Sequence, residues 1–301
     1  MSGSRRGRRW RRVQYSAGMI AILGTGLLGA GFTRAARRRG EEVRVWNRTL
    51  DRARPLAEVG ATVCVDAADA VRDVDRVHVV VSDDAAVDAV LAAARPGLPV
   101  GALIVDHSTT STAGALARTA AWAAAGHVYL HAPVFMGPQN ALDGTGLMLM
   151  SGDRAVVERA RPLLAPMTGK LLDLGERVDA AAAYKLCGNL FLMAMTSGLA
   201  EMLALAGAMK IEPPAIAALF EHFKPGTTVN PRLARMTEAQ FSPPSWELAM
   251  ARKDARLITA EADAAGLALA LVPAIAAWMD VAMAAGDGHL DWTVISRHPV
   301  L

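Results

Sequence analysis

Cysteine and aromatic residues are scarce in this chain of 301 residues, which has two cysteines, Cys64 and Cys187, and 5% aromatic residues. Two cysteines are too few for a disulfide framework or a structural zinc site. The neighbouring carboxylates Asp83 and Asp84 have no cluster of further metal-ligand residue types beside them in the sequence. The sequence therefore predicts a protein of the reducing cytoplasm with no bound metal.

Long uninterrupted apolar runs are also missing. The apolar stretch that begins at Leu190 is broken by Glu201, and the one after Gly266 contains Pro273 and is broken by Asp280. Because a membrane helix needs about 18 or more consecutive apolar residues, no membrane association is expected. The content of 52% hydrophobic and 20% charged residues is typical of a soluble globular chain long enough for two domains.

Acidic residues are absent from residues 1–18, which contain six arginines. The formal net charge is +3, so without these six positive charges the rest of the chain carries −3, and no nucleic-acid partner is expected. A basic segment before an apolar run also resembles a secretion signal, even one of the twin-arginine type. The run from Met19 is needed for the fold, so we expect a disordered tail, or Met19 as the natural start.

Short apolar segments rich in β-branched residues alternate with helical segments as far as about residue 174. This alternation is typical of a Rossmann architecture, an α/β fold with a doubly wound parallel sheet and helices on both faces. The predicted strands cover residues 19–23, 43–46, 62–65, 77–81, 103–106, 128–132, 147–151 and 171–174, and the predicted helices cover 27–39, 85–94, 111–124 and 155–164.

The pattern becomes all-helical after Gly175. Residues 180–208 predict one long helix that is too long for a crossover connection and too apolar to lie exposed. Because such a helix needs more partners than one small domain supplies, we expect a homodimer or homotetramer. The expected domains are a basic tail at 1–18, a dinucleotide-binding domain at 19–178 and an all-α domain at 179–301, with further helices at 213–223, 247–265 and 273–285 and loops at 224–231 and 242–244.

The most informative motif follows the first predicted strand. Residues 24–29 read GTGLLG and lead into a predicted helix and then a second strand. This order of elements forms the unit that holds a dinucleotide pyrophosphate at a helix N-terminus. In that unit Gly24 permits the tight turn, Gly26 allows the phosphate to approach the backbone, and Gly29 lets the helix pack on the strand. The sequence therefore predicts a nucleotide site here.

The end of the second predicted strand indicates which dinucleotide is bound. Enzymes selective for NAD generally have Asp or Glu there, which binds the ribose hydroxyls. This chain has Asn47, Arg48 and Thr49, followed by Arg52. Because a guanidinium binds a 2′-phosphate bidentately and no carboxylate stands at the strand end to repel it, NADP(H) is the predicted cofactor. The missing acid also argues against a methyltransferase that uses S-adenosylmethionine.

A candidate proton carrier lies near the start of the long helix. Lys185 and Asn189 are four residues apart, which places both side chains on one face of the helix. The surrounding segment is apolar, and desolvation lowers the pKa of a buried lysine. Such an amine could accept a proton from an alcohol as hydride leaves and return it in reduction. A lysine at the edge of the helix with its charged end in solvent fits the spacing equally well.

From Met19 to about residue 285 the chain resembles the β-hydroxyacid dehydrogenases, the family of 3-hydroxyisobutyrate and 6-phosphogluconate dehydrogenases. The resemblance rests on motifs in the family's order. They are the glycine-rich turn at 24–29, the Asn-Arg-Thr of NADP-type members at 47–49, Asp-His-Ser-Thr at 106–109, Ala-Pro-Val at 132–134 with a turn that ends at Gly137, Lys-Leu-Cys-Gly-Asn at 185–189, and Lys-Asp at 253–254.

The resemblance implies the predicted two-domain fold, assembly into dimers or tetramers through the long helix, and a set of site residues. Lys185 would be the general acid/base, Asn189 its polar partner, and Thr109 a neighbour of the nicotinamide. The implied residues are, for catalysis, Lys185 and Asn189; for the cofactor, Gly24, Thr25, Gly26, Leu27, Leu28, Gly29, Asn47, Arg48, Thr49, Arg52, Val81, Ser82, Thr109 and Lys253; and for the substrate, Ser108, Gly137, Lys185 and Asn189.

Departures from the family pattern concentrate around the substrate. Phe135 and Met136 stand where the family usually has Ser and Gly, which replaces a hydroxyl and a glycine amide by bulk. His131 stands where Asp is common, and Thr112 where Pro is usual. The pocket is therefore expected to be more apolar, which argues against a small hydroxy acid such as 3-hydroxyisobutyrate. His131 and His107 are weaker candidates for proton chemistry.

The sequence therefore predicts an NADP-dependent oxidoreductase that transfers hydride between NADP(H) and a β-hydroxy acid or the corresponding aldehyde or keto compound. One alternative is an imine reductase, a related group with the same architecture that generally lacks the lysine. Lys185 argues against that alternative and the bulky turn at Phe135 argues for it. A second alternative is a non-catalytic nucleotide-binding interaction module, for which the basic tail is the only hint.

Overall fold

The computed structural model describes residues 18–298, so residues 1–17 of the basic tail lie outside the described residues. The chain divides into two compact units, the first ending at Asn189 and the second beginning at Leu190. The strands of the first unit are β1 (Met19–Leu23), β2 (Glu42–Trp46), β3 (Thr62–Val63), β4 (Arg76–Val79), β5 (Leu103–Asp106), β6 (Val128–His131), β7 (Val134–Phe135), β8 (Leu147–Met150) and β9 (Lys170–Asp173).

Helices alternate with these strands. They are α1 (Leu27–Arg38), α2 (Ala67–Ala70), α3 (Asp84–Ala94), α4 (Thr112–Ala124), α5 (Pro138–Asp143) and α6 (Arg154–Leu164), followed by α7 (Ala180–Ala208), which continues into the second unit. Short 3-10 turns fill several connections, including Leu50–Arg52 after β2.

Six parallel strands form the main sheet in the order β3-β2-β1-β4-β5-β6. The central strands are buried on both faces: in β1, residues Ile20 to Leu23 are at most 1% exposed. Helices cover the two faces, and an apolar core lies on each side, as expected for a parallel sheet. The doubly wound sheet predicted from the alternation is confirmed.

The order of the strands reverses beside β1, which pairs with β2 on one side and β4 on the other. In open α/β sheets the crevice at such a switch point, outside the carboxyl ends of the strands, is the usual ligand site. The segments that follow β1, β2, β4 and β5 therefore lie at one edge of the sheet.

The last strands of the first unit differ from the prediction, because they form a separate sheet of three. Its order is β7-β8-β9, with β7 antiparallel to β8 and β8 parallel to β9. The strands predicted at 147–151 and 171–174 therefore belong to this small sheet. Strand β7 and helices α2 and α5 are too short for the patterns used in the sequence analysis and were not predicted.

The two units meet inside α7, which has the predicted bounds. This division is later in the chain than the expected one at residue 178, because the first turn of α7 packs within the first unit. Ala181 and Ala182 are fully buried, and the backbone N–H of Ala181 donates to Oγ of Ser151 at 3.0 Å.

The second unit is helical, as predicted, with α8 (Pro213–His222), α9 (Val229–Glu238), α10 (Leu248–Ala264) and α11 (Leu271–Ala284). Its small core lies between α10, α11 and the residues around Val294. The carboxylate of Glu201 accepts hydrogen bonds from the backbone N–H groups of Leu271 and Val272 at the start of α11. The residue that breaks the apolar run of α7 therefore caps another helix.

The loop predicted at 224–231 is partly helical, because α9 begins at Val229 and includes Pro231. Proline is tolerated there since the first N–H groups of a helix have no intrahelical acceptor.

Among the described helices, α7 alone is long and apolar enough to cross a membrane, with a mean hydropathy of 1.6 over its most apolar 18-residue window. Core helices of soluble proteins reach the same length and hydropathy, so these two properties do not by themselves indicate a membrane span.

Candidate active site

The glycine-rich turn joins β1 to α1 and brings three backbone segments close together. Gly24 has a φ of +99°, a conformation that favours glycine. A Cβ at Gly24 would overlap the carbonyl oxygen of Val80, and one at Gly29 would overlap the carbonyl oxygen of Gly24. A Cβ at Gly26 would meet no described atom within 4 Å, so this position opens to the space above the sheet.

The N-terminus of α1 fits a bound pyrophosphate. Its N-cap is Gly26, and within the described part of the chain it has neither a side-chain cap nor an acidic residue in its first turn. The first N–H groups of such a helix are free to donate to an anion, and the helix dipole favours negative charge there. The hydroxyl of Thr25 is buried and has no hydrogen-bond partner among the described residues.

Asn47 joins the glycine-rich turn to the end of β2. Its Oδ1 accepts a hydrogen bond from the backbone N–H of Thr25 at 3.0 Å, and its Nδ2 donates to the carbonyl of Thr49 at 2.8 Å. Both ends of the amide are therefore used within the protein, and the cations beside it are Arg48 and Arg52. The acidic residue closest in sequence, Asp51, lies 2.7 Å from a guanidinium nitrogen of Arg54, which balances its charge.

The segments after β4 and β5 are joined by a hydrogen bond from the backbone N–H of Val81 to Oγ of Ser108, at 3.0 Å. The buried carboxylate of Asp106 fixes the second segment, because it accepts from the N–H of Ser108 at 2.9 Å and from the hydroxyl of Tyr129 at 2.6 Å. Tyr129 in turn accepts from the buried guanidinium of Arg118. Ser108 and its neighbours are thus held by a network that reaches β6 and α4.

One cavity of about 750 Å³ brings these segments together. Most predicted cofactor and substrate residues line it. They are Gly24, Gly26, Leu27, Leu28, Asn47, Arg48, Thr49, Arg52, Val81, Ser82, Ser108, Thr109 and Lys185.

Among the described residues that line this cavity, Lys185 is the one lysine, and it is 9% exposed. Its ammonium donates to Oδ1 of Asn189 at 3.0 Å, as the spacing on one helix face predicted. Burial lowers the pKa of Lys185 because desolvation disfavours the ammonium.

Phe135 covers the amine from the side of the small sheet. Nζ of Lys185 lies 4.1 Å from the centre of the Phe135 ring, within the range of a cation–π contact. The ring also packs against Gly188, where a Cβ would overlap it. The bulky residue that departs from the family pattern thus shields the face of α7 that carries the lysine.

Five predicted residues lie outside the described lining of the cavity: Thr25, Gly29, Gly137, Asn189 and Lys253. Thr25 and Gly29 support the glycine-rich turn, as described above. Gly137 is the N-cap of α5, where its N–H donates to Oδ1 of Asn140. Lys253 is on α10 in the second unit, 2.9 Å from a carboxylate oxygen of Asp254, and its role at the cofactor stays a prediction.

His131 also lies away from the described cavity lining and is buried, with Nε2 at 2.9 Å from the carbonyl oxygen of Ser108. Asp83 caps α3 and Asp84 pairs with Arg118, so both carboxylates have structural partners.

The cavity also contains residues outside the predicted cofactor and substrate set, among them His107, which the sequence offered only as a candidate for proton chemistry. Position in the fold is the feature they share, because they lie at the carboxyl ends of β2, β4 and β5, in or directly after β7, or in α3. They are Trp46, Val80, Ala86, Ala89, Val90, His107, Val134 and Met136.

Comparison with known proteins identifies the family. Residues 19–175 match the family described as the NAD binding domain of 6-phosphogluconate dehydrogenase. Glyoxylate/succinic semialdehyde reductase 1 of Arabidopsis thaliana is 25% identical over 283 residues, which cover 92% of this chain and 96% of that protein. A probable 3-hydroxyisobutyrate dehydrogenase of Mycobacterium tuberculosis is 34% identical over 191 residues, which cover 62% of this chain and 63% of that protein.

A solved imine reductase from Myxococcus stipitatus, in complex with NADP+, has the same fold. Its TM-score is 0.87 at 24% identity, over 93% of this chain and 99% of that chain. The predicted fold and the predicted relationship to the β-hydroxyacid dehydrogenases are therefore confirmed. The chain belongs to the family of the NAD binding domain of 6-phosphogluconate dehydrogenase and is an NAD(P)-dependent oxidoreductase.

Proposed function

We propose that the protein transfers hydride reversibly between NADP(H) and a carbonyl compound or the corresponding alcohol, with Lys185 as the general acid/base. The observation that carries this proposal is the buried amine of Lys185 in the wall of the cavity that contains the glycine-rich turn. The names of the relatives support it, since they describe reductases of aldehydes and a dehydrogenase of a hydroxy acid.

The bound cofactor supplies the hydride, and the chain has to supply the proton. In reduction the ammonium of Lys185 gives a proton to the oxygen of the carbonyl group, and in oxidation the free amine takes one from the alcohol. A lowered pKa favours both roles, because it moves the amine closer to the working pH. Asn189 fixes the amine through its Oδ1, which leaves its NH₂ group to donate to a substrate oxygen.

Replacing Lys185 by Ala should lower kcat for carbonyl reduction by roughly 10²- to 10⁴-fold, the range typical of general acid–base catalysis. NADPH binding, measured by fluorescence, should change little. In the wild-type protein, kcat for reduction should fall as pH rises through the lowered pKa of Lys185, because reduction needs the ammonium. Lys170→Ala, at an exposed lysine of β9, is the control. Full activity of Lys185→Ala would refute the lysine mechanism.

We propose NADP(H) rather than NAD(H) because Arg48 and Arg52 line the cavity at the end of β2. A guanidinium can bind a 2′-phosphate through two charge-assisted hydrogen bonds. Asn47 is uncharged and holds this segment in place through its hydrogen bonds with Thr25 and Thr49.

Arg48→Ala should raise the Kd for NADPH by about 10- to 100-fold, the loss expected for a hydrogen bond to a charged group, and leave the Kd for NADH nearly unchanged. Titration of each cofactor by fluorescence measures both constants. Arg54→Ala is a matched control, since that guanidinium is paired with Asp51. Equal losses for the two cofactors would contradict the assignment of Arg48 to the 2′-phosphate.

For the substrate we propose an uncharged or apolar carbonyl compound in preference to a small hydroxy acid. Phe135 places a ring against Lys185, and Val134 and Met136 add apolar surface to the cavity. A carboxylate placed against Phe135, Val134 and Met136 would lose hydration there, and none of these three side chains can donate a hydrogen bond to it in return. The same apolar wall favours a second candidate function, the reduction of a cyclic imine. The presence of Lys185 argues against this second function.

Phe135→Ser should shift activity from apolar aldehydes towards small hydroxy acids and their semialdehydes, by about 10-fold in the ratio of kcat/KM values, because it adds a hydroxyl and removes a desolvating ring. Phe135→Leu, which removes the ring and adds no donor, should not produce this shift. A panel of aldehydes, hydroxy acids and cyclic imines, followed by the absorbance of NADPH, measures the ratios. Turnover of imines alone by the wild-type protein would favour the second candidate instead.

We also propose that two or four copies assemble through α7 and the helices after it. Large apolar residues of α7 are exposed, among them Leu190 at 68% and Met193 at 65%. Within the described chain, α8 and α9 have no buried residue at all. Apolar surface on this scale is typical of an interface between subunits.

Sedimentation equilibrium should therefore give two or four times the mass of one chain. The double substitution Leu190→Asp and Met193→Asp should reduce this mass, because burying two carboxylates in an apolar interface is unfavourable. Val100→Asp, at a residue of the first unit that is 95% exposed, should have no effect. A single-chain mass for the unmodified protein would contradict the assembly.

A further inference from the structure

Three buried polar side chains form a row beneath the cavity. Nε of Arg76 lies 2.9 Å from Nε2 of His78, and Nδ1 of His78 lies 2.9 Å from Nε2 of His107. The row ends where Nδ1 of His107 lies 2.8 Å from the carbonyl oxygen of Ala132. Arg76, His78 and His107 are each at most 7% exposed. The two imidazole rings are nearly parallel, with centroids 5.2 Å apart.

The two ends of this row have only one hydrogen-bonding role each. The Nε–H of Arg76 can only donate, so Nε2 of His78 has to accept and carries no proton. The carbonyl of Ala132 can only accept, so Nδ1 of His107 has to carry a proton. Between them Nδ1 of His78 must donate to Nε2 of His107. One arrangement therefore satisfies every contact: both imidazoles are neutral and both carry their proton on Nδ1.

The surroundings favour two neutral rings. Desolvation is the main reason that the pKa of His107 falls to about 4, and that the pKa of His78 lies well below its usual value. The Arg76 guanidinium lowers the pKa of His78 further. Glu41 pairs with Arg76 and balances its charge. An added proton on either ring would place two N–H groups against each other somewhere in the row.

The row ends directly at the site. His107 lines the cavity and precedes Ser108 and Thr109, which line it as well. Its ring also lies against Phe32 of α1, with centroids 5.2 Å apart. Both ring nitrogens of His107 are occupied within the protein, which leaves neither to exchange a proton with a substrate. This argues against proton chemistry at His107 and for a role in holding the segment.

We propose that His78 is a positioning residue: by donating to His107 from inside the sheet, it fixes the tautomer and ring of His107 and so holds residues 107–109 against the cofactor and substrate. The effect on catalysis rests on the proposed function of the cavity. The tautomers themselves can be measured without any turnover.

The first test is the long-range ¹H–¹⁵N correlation spectrum of the full-length protein labelled at histidine, assigned with the variants His78→Gln and His107→Asn. The expected result at pH 7 is two neutral rings with Nδ1 protonated and Nε2 bare at both positions. The other five histidines serve as internal references. A proton on Nε2 of either ring, or an imidazolium at either position, would overturn the proposal.

The second test compares His78→Leu with His78→Gln. A glutamine amide can accept from Arg76 and donate to His107, whereas leucine fills space and does neither. His78→Leu should lower kcat by about 10-fold or more, since small displacements of positioning groups have large effects, while the Kd for NADPH changes less. His78→Gln should restore most of the rate. His127→Leu, at a partly exposed histidine outside the row, is the control.

A wild-type kcat in His78→Leu would refute the positioning role, because the substitution would then have no effect on the rate. An equal loss of kcat in both His78 variants would also refute it, because the loss would then come from altered packing alone. If His78→Leu does not fold, the rate of His78→Gln and the spectrum of the wild-type protein still decide the outcome. An absence of turnover in the wild-type protein would instead refute the proposed function, and the spectrum would still report the tautomers.

Discussion

Direct approach of backbone to backbone at the carboxyl ends of β1 and β4 determines the shape of the dinucleotide crevice. Gly24 lies against the carbonyl of Val80, and Gly29 against the carbonyl of Gly24, with no room for a Cβ at either position. The N–H of Gly24 also donates to the carbonyl of Trp46 at the end of β2. Because these segments touch without intervening side chains, the N-terminus of α1 opens into the same cavity as the segments after β2, β4 and β5.

The polar groups of this site are held from below by buried hydrogen bonds and covered from the side by apolar groups. Asp106 and His107 anchor the segment that carries Ser108, through Tyr129 and His78 respectively. Partners of fixed geometry in a poorly solvated interior cost little reorganisation during a reaction. Lys185 differs, because among the described residues its amine has one hydrogen-bond partner and an aromatic ring beside it. An ammonium held in this way has N–H groups left without a hydrogen-bond acceptor among the described residues, whereas every ring nitrogen of His78 and His107 is engaged.

Local chemistry allowed much of the site to be predicted from the sequence. The glycine-rich turn, the arginines after β2 and the spacing of Lys185 and Asn189 each depend on a few neighbouring residues. Long-range partners could not be predicted in the same way. Phe135 meets Lys185 fifty positions later, and His78 meets His107, which directly follows the next strand of the sheet. The small sheet of β7, β8 and β9 was missed for the same reason, since a strand's partners depend on tertiary packing that periodicity does not contain.

The central claim is that the amine of Lys185 exchanges the proton of the reaction. A crystal structure of the protein with NADP+ and a slowly reacting alcohol tests this claim most directly. The account predicts Nζ of Lys185 within hydrogen-bond reach, about 3 Å, of the alcohol oxygen, with the pyrophosphate at Gly26 and the nicotinamide beside Thr109. An amine turned away from the alcohol, with another side chain or ordered water in its place, would contradict the account.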